Sequence, residues 1–205
     1  MNVALRATHR FLERPLSVAS RGLVLAGIVA LTAGALLPLW RIELVAPQYQ
    51  EGLTLEMYSH KIAAGNGGQD LAEINTLNHY IGMKPIVEAD FAEMTWMPFI
   101  VGVFVLLSLR AVVMGTIGNL VDLAVMFSYF GAFSLATFIY RLWSYGHHLD
   151  PHAPMKMEPF MPVVVGSQQI ANFVQTSLPM AGTFCMLLFV VALTTAIWLS
   201  RREEL

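Results

Sequence analysis

Four stretches of this chain stay apolar long enough to cross a bilayer, and two long stretches of mixed polarity separate them. Gly22 to Trp40 runs nineteen residues without a charge, directly after the basic segment that ends at Arg21. Residues 97–115 form a second run interrupted only by Arg110, and residues 120–140 a third with Asp122 in its first turn. Residues 182–200 make the fourth, closed by Arg201 and Arg202. A hydrocarbon core about 30 Å thick takes roughly 20 helical residues, so each run predicts one span. The organisation expected is one membrane domain: tail 1–21, span 22–40, loop 41–96, span 97–115, span 120–140, loop 141–181, span 182–200, tail 201–205.

The two loops carry their own patterns. Arg41-Ile42-Glu43-Leu44-Val45 and Leu53-Thr54-Leu55-Glu56-Met57-Tyr58 alternate polar and apolar positions, and Pro47 to Gly52 between them has turn chemistry. That predicts a β-hairpin standing on the membrane. Gly65-Asn66-Gly67-Gly68 breaks the chain, and Asp70 is placed to cap a helix running to about Tyr80. Gly82 follows where a left-handed helix C-cap would fall. In the second loop, Pro151, Pro154, Pro159 and Pro162 exclude a regular helix and favour an extended path. Residues 166–177 place Ile170, Phe173 and Val174 on one stripe, which predicts a short helix lying on the membrane surface. The fold class expected is thus an all-α integral membrane protein of four transmembrane helices with two long outer loops, the first carrying a β-hairpin.

Composition agrees with the spans. Apolar residues make up 56% of the 205 positions and charged residues 13%, and mean hydropathy is +0.60. So few charges cannot cover a water-soluble globule, and disorder needs the opposite balance. A net charge of −2 offers nucleic acid no global attraction, and the single cysteine, Cys185, excludes a disulfide framework or a thiolate cluster.

Lys and Arg set the orientation. With the N-terminus inside, Arg6, Arg10, Arg14, Arg21, Arg110, Arg201 and Arg202 are cytoplasmic, in short segments. The remaining basic residues, Arg41, Lys61, Lys84, Arg141 and Lys156, are spread over two long outer loops. Both termini are read as cytoplasmic. Ala33-Gly34-Ala35 has the small-residue spacing of a signal-peptidase site, but the apolar run continues to Trp40, so the first span is read as a retained anchor.

Candidate chemistry collects outside. His60, His79, His147, His148 and His152 lie in the loops, and no histidine lies in a span, which argues against a membrane-embedded b-type haem. Arg110 and Asp122 flank one turn and are read as a pair anchoring the hairpin. Glu88, Asp90 and Glu93 are read as solvated acids. Imidazole with thioether is a soft ligand set that suits Cu(I) where thiolate is absent. On that ground His60, His79, Met83, His147, His148, His152, Met155 and Met157 are the candidate metal ligands, and copper the one candidate cofactor. Solvated imidazoles and gap-filling methionines give the same residues a purely structural reading. No nucleophile–base pair suggests a catalyst, so no enzymatic activity is expected.

The segments Leu77-Asn78-His79-Tyr80-Ile81-Gly82-Met83-Lys84-Pro85-Ile86, Tyr145-Gly146-His147-His148-Leu149-Asp150-Pro151-His152-Ala153-Pro154 and Asn172-Phe173 resemble a family of small four-span membrane proteins. These are the NosB-like accessory proteins associated with gene clusters for nitrous oxide reductase and its copper assembly. The similarity covers both outer loops, roughly residues 40–180. It implies a respiratory, copper-related setting in a bacterial inner (cytoplasmic) membrane, and it assigns no catalytic residue. The function expected is a non-catalytic accessory protein of a periplasmic copper enzyme, acting by metal handling or by docking the enzyme and its electron donor. A structural subunit of a membrane respiratory complex is the alternative. A small transporter fits less well, because the spans offer too few polar residues to line a path.

Overall fold

The computed structural model describes residues 3–202. Four helices are long and apolar enough to cross a membrane. They are α2 (Val18–Leu36), α4 (Glu93–Met114), α5 (Ile117–His147) and α6 (Ala181–Arg202), with a short helix α1 (Val3–Leu12) ahead of them and α3 (Gln69–Tyr80) in the first loop. Each of these four falls on one of the four apolar runs, although α2 starts at Val18 and stops at Leu36, so that Trp40 opens a strand, and α5 runs on to His147; the fold is not all-α. Strands β1 (Trp40–Ala46), β2 (Tyr49–Met57), β3 (Ile62–Ala64), β4 (Gly166–Ile170) and β5 (Phe173–Pro179) form one antiparallel sheet in the order β3-β2-β1-β5-β4. Both long loops contribute to it, and the result is a mixed α/β headpiece on one side of the helices.

The sheet grows out of the helix packing. α2 and α6 approach closely because small residues face each other: a Cβ added to Gly34 would lie 2.9 Å from the Gly182 carbonyl oxygen and 3.2 Å from Cys185 Cβ. Such close backbone approach is how membrane helices gain packing without a hydrophobic driving force. At the far end Ser20 Oγ donates to the Ala196 carbonyl (2.8 Å) and accepts from Ser200 Oγ (2.8 Å). β1 continues from α2, and β5 leads straight into α6, so the two antiparallel helices deliver two antiparallel strands side by side. They pair from Trp40↔Pro179 to Val45↔Val174.

The β1–β2 hairpin follows the alternation of its sequence, with Pro47 and Gln48 between the paired Ala46 and Tyr49. Residues 166–177 do not form the expected surface helix. They fold into a second hairpin, β4–β5, with Ile170 opposite Phe173 and Ala171 in its turn at φ 51°. Ile170 and Phe173 share a face because the turn lies between them, not because a helix does. Along β5 the inward positions are Phe173, Gln175 and Ser177, whereas Val174 and Leu178 face outward. Polar residues inside and apolar ones outside hide the period of two. Burial of Ser177 is compensated, since its Oγ donates to the Val164 carbonyl (2.8 Å) and accepts from Trp40 Nε1 (2.8 Å).

α3 lies against the sheet through Ile74 and Leu77, which join Leu44, Leu53, Leu55 and Phe173 in a core separate from that of the spans. Asp70 does not cap α3; Gly68 occupies the N-cap position. Instead the buried Asp70 carboxylate accepts from Thr54 N–H (2.8 Å) and Asn66 Nδ2 (2.7 Å), tying the first turn of α3 to β2. α5, at 31 residues, is roughly 46 Å long at 1.5 Å per residue. That exceeds a hydrocarbon core of about 30 Å, so its last turns rise into the headpiece. There the Gly146 carbonyl accepts from Phe160 N–H (3.0 Å). At the opposite end, Arg110 and Asp122 form no ion pair with each other among the described residues. Arg21 closes that side instead, donating from Nη1 to the Val112 carbonyl (2.8 Å) at the C-terminal end of α4.

Candidate functional site: the Gly82 turn and the proline strap

α3 ends in a Schellman motif. Gly82 N–H donates to the His79 carbonyl (3.2 Å), Met83 N–H donates to the Asn78 carbonyl (2.8 Å), and Gly82 sits at φ 83°. This is the left-handed position that glycine adopts at least cost. The proline-rich segment of the second loop docks on this turn as an extended strap. Asp150 N–H donates to the Gly82 carbonyl (2.8 Å) and Met155 N–H to the Tyr80 carbonyl (3.0 Å). A Cβ on Gly82 would lie 3.0 Å from both Ala153 Cβ and the Asp150 carbonyl oxygen. Two segments about 70 residues apart by sequence number thus meet through backbone bonds.

Asp150 organises the exposed side of the contact. Its Oδ1 accepts from His152 N–H (2.8 Å) and lies 3.3 Å from His152 Nδ1. The backbone bond from His152 holds the Asp150 carboxyl below its ordinary pKa, with the His152 ring and the His79 charge acting in the same direction. The site therefore brings the His152 ring to the Asp150 carboxylate. An Asx-type turn through Pro151 was readable at Asp150 in the sequence, although Asp150 is absent from the candidate ligands.

His147 and His148 stand at the end of α5, each bonded to its own helix. His147 Nδ1 lies 2.9 Å from the Trp143 carbonyl, and His148 Nδ1 lies 3.1 Å from the Ser144 carbonyl. The Ser144 hydroxyl also lies 3.2 Å from His148 Nδ1. The His147 ring stacks on Trp143 with centroids 4.5 Å apart. His60 is elsewhere, edge-on to Tyr58 in a turn that Ser59 fastens to the Ala35 carbonyl (2.7 Å) at the end of α2. Beside it Arg41 bonds Glu56 and lowers the pKa of that carboxyl.

The three methionines take a different place. Met83, Met155 and Met157 are partly buried and pack against the headpiece core. Along the strap the inward Met155 and Met157 alternate with exposed Lys156 and Glu158, as an extended chain requires. Among the described residues, no group of three or more His, Cys, Asp or Glu side chains is arranged to hold a metal ion. The acids at the base of the headpiece are not evenly solvated either. Glu93 receives a two-pronged bond from Arg141, Nε to Oε1 at 2.6 Å and Nη2 to Oε2 at 2.7 Å, and Arg141 lies over the Phe91 ring.

No protein-family model matches this chain, and neither curated protein sequences nor solved structures contain a significant match to it.

Proposed function

We propose that this protein is a non-catalytic membrane accessory protein that docks a periplasmic copper respiratory enzyme of the nitrous oxide reductase type at the bacterial inner membrane. One observation carries the reading. The Gly82 turn and the strap lock the two loops into one headpiece that presents His79, His148 and His152 to solvent, while Met83, Met155 and Met157 are turned into its core. Thioethers occupied by packing leave imidazoles and carboxylates facing outward, a surface suited to meeting a partner more than to enclosing an ion. The Lys/Arg distribution supports a periplasmic headpiece with both termini cytoplasmic, and the resemblance of the 77–86 and 145–154 segments supports the respiratory setting.

A chromosomal replacement carrying His79→Ala, His148→Ala and His152→Ala tests the reading. Docking predicts that nitrous oxide reduction driven by the membrane's own electron donors falls at least tenfold. The reductase itself stays copper-loaded and active with a soluble artificial donor. Loss of copper from the reductase would transfer the role to metal handling, and unchanged respiration would refute both. The alternative is a structural subunit of a membrane respiratory complex. Persistent co-purification with integral subunits in mild detergent is its signature.

A further inference from the structure

Beneath the headpiece two cavities adjoin. The lower one, about 510 Å³, lies among α4, α5 and α6 at the level of the spans, with Trp40, Trp96 and Phe130 in its walls. The upper one, about 80 Å³, lies inside the headpiece between α3, the sheet and the top of α5. Met57, Phe138 and Arg141 line both, so the two cavities abut at these residues, the neck of the pair. The lower volume is in the range of small-molecule sites, roughly 300–1,000 Å³, and its walls are almost wholly apolar.

Two polar atoms interrupt those walls. Among the described residues, the buried side-chain nitrogen or oxygen atoms without a hydrogen-bond partner are Asn78 Nδ2 and Ser134 Oγ. Asn78 lines the upper cavity and Ser134 the lower. Neighbouring hydroxyls of α5 are satisfied in the usual helical way: Ser128 donates to the Ala124 carbonyl (2.7 Å) and Thr137 to the Phe133 carbonyl (3.0 Å). Ser134 does not. Asn78 is 4% exposed, so water from outside does not reach it freely. An unpaired donor in such surroundings is costly, and here two of them stand on either side of one neck. Ser134 is one helical turn before Phe138, about 6 Å along the axis.

The charges restrict what can fill the space. Glu93 and Arg141 are the ionic groups in the walls, and they neutralise each other through two bonds. Arg141 also donates to the Asp90 carbonyl (3.0 Å). No uncommitted cation therefore awaits a phosphate or a fatty-acid carboxylate, and the orphaned Asn78 and Ser134 groups call for hydrogen-bond acceptors. The occupant that fits is uncharged, has acceptors on opposite sides of a flat head, and carries an apolar tail.

We infer that the joined cavities bind a prenylated quinone, its ring held at the neck beside Phe138, one carbonyl accepting from Asn78 and the opposite carbonyl from Ser134, its tail in the lower cavity. This inference does not depend on which enzyme the headpiece meets. It requires no electron transfer, only binding.

The test uses the full chain in lipid nanodiscs, titrated with a decyl-tailed benzoquinone and followed by quenching of tryptophan fluorescence from Trp40 and Trp96. Saturable quenching is expected, with affinity about tenfold lower in Asn78→Leu and in Ser134→Ala, the effect of one lost hydrogen bond in a dry site. Melting temperature checks the fold, and it should hold or rise, since each change removes an unpaired polar atom. Decylbenzene, which has the tail without the carbonyls, should displace the quinone only at more than tenfold higher concentration. Oleate and diacylglycerol should behave as decylbenzene does. Should Asn78→Leu fail to fold, Ser134→Ala and the decylbenzene competition decide alone. Equal binding by the variants, or equal displacement by decylbenzene, oleate or diacylglycerol, would make the space an unselective lipid crevice and overturn the assignment.

Discussion

Gly82 concentrates two requirements at one residue. Its φ of 83° is the conformation of the helix cap, and the absence of a side chain lets Asp150 and Ala153 sit against it. A valine there meets both penalties, because a β-branched residue resists positive φ and its Cβ enters the strap. Gly82→Val should destabilise the headpiece by about 2 kcal/mol or more. Limited proteolysis near Pro154 is the readout, since the strap is released when the turn opens. Alanine at the same position adds the Cβ without branching and should cost less. Equal protease resistance of the valine variant and wild type would mean the strap is held by other contacts.

Among the elements, the α2–α6 pair carries the most consequence, because β1 and β5 inherit their positions from it. Gly34 sits where that pair is closest, with the Gly182 carbonyl, Cys185 and Met186 around it. Gly34→Leu should force the two helices apart, at an overpacking cost of roughly 1–3 kcal/mol. The damage should propagate upward, so amide exchange along Trp40–Val45 and Val174–Pro179 should accelerate while α3 stays protected. By contrast Gly102 on α4 faces open space, and Gly102→Leu should leave the same amides unchanged. If both variants exchange alike, the sheet does not depend on the helix pair.

At the scale of the whole molecule, a single sheet built from both loops requires those loops to share one side of the membrane. Gln69 and Lys156 are exposed residues of the two loops, and Arg10 is exposed on α1 at the other end. In a Cys185→Ala background, Gln69→Cys and Lys156→Cys should both react with a membrane-impermeant maleimide applied from one face of sealed vesicles. Arg10→Cys should react only from the other face. Labelling of Gln69→Cys and Lys156→Cys from opposite faces would be incompatible with the sheet.

Much of this architecture is local and therefore legible in the chain. Each span announces itself because lipid demands an unbroken apolar helix, whatever its neighbours do. The β1–β2 hairpin and the Gly82 cap are equally local, since alternation, turn residues and glycine act within a few positions of each other. What the tertiary structure alone decided is everything that depends on distant partners. Residues 166–177 read as a helix until β1 supplies an edge to pair with, and Ser177 is buried only because Trp40 and the Val164 carbonyl satisfy its hydroxyl. Asp70 reads as a cap until Thr54 arrives across the sheet. His60 belongs to a turn fastened to the end of α2, and Met83, Met155 and Met157 pack against the headpiece core, placements that spacing along the chain does not reveal. Spacing along a chain records which side chains can meet within one element; which ones meet across elements is set by how α2 and α6 bring the two loops together.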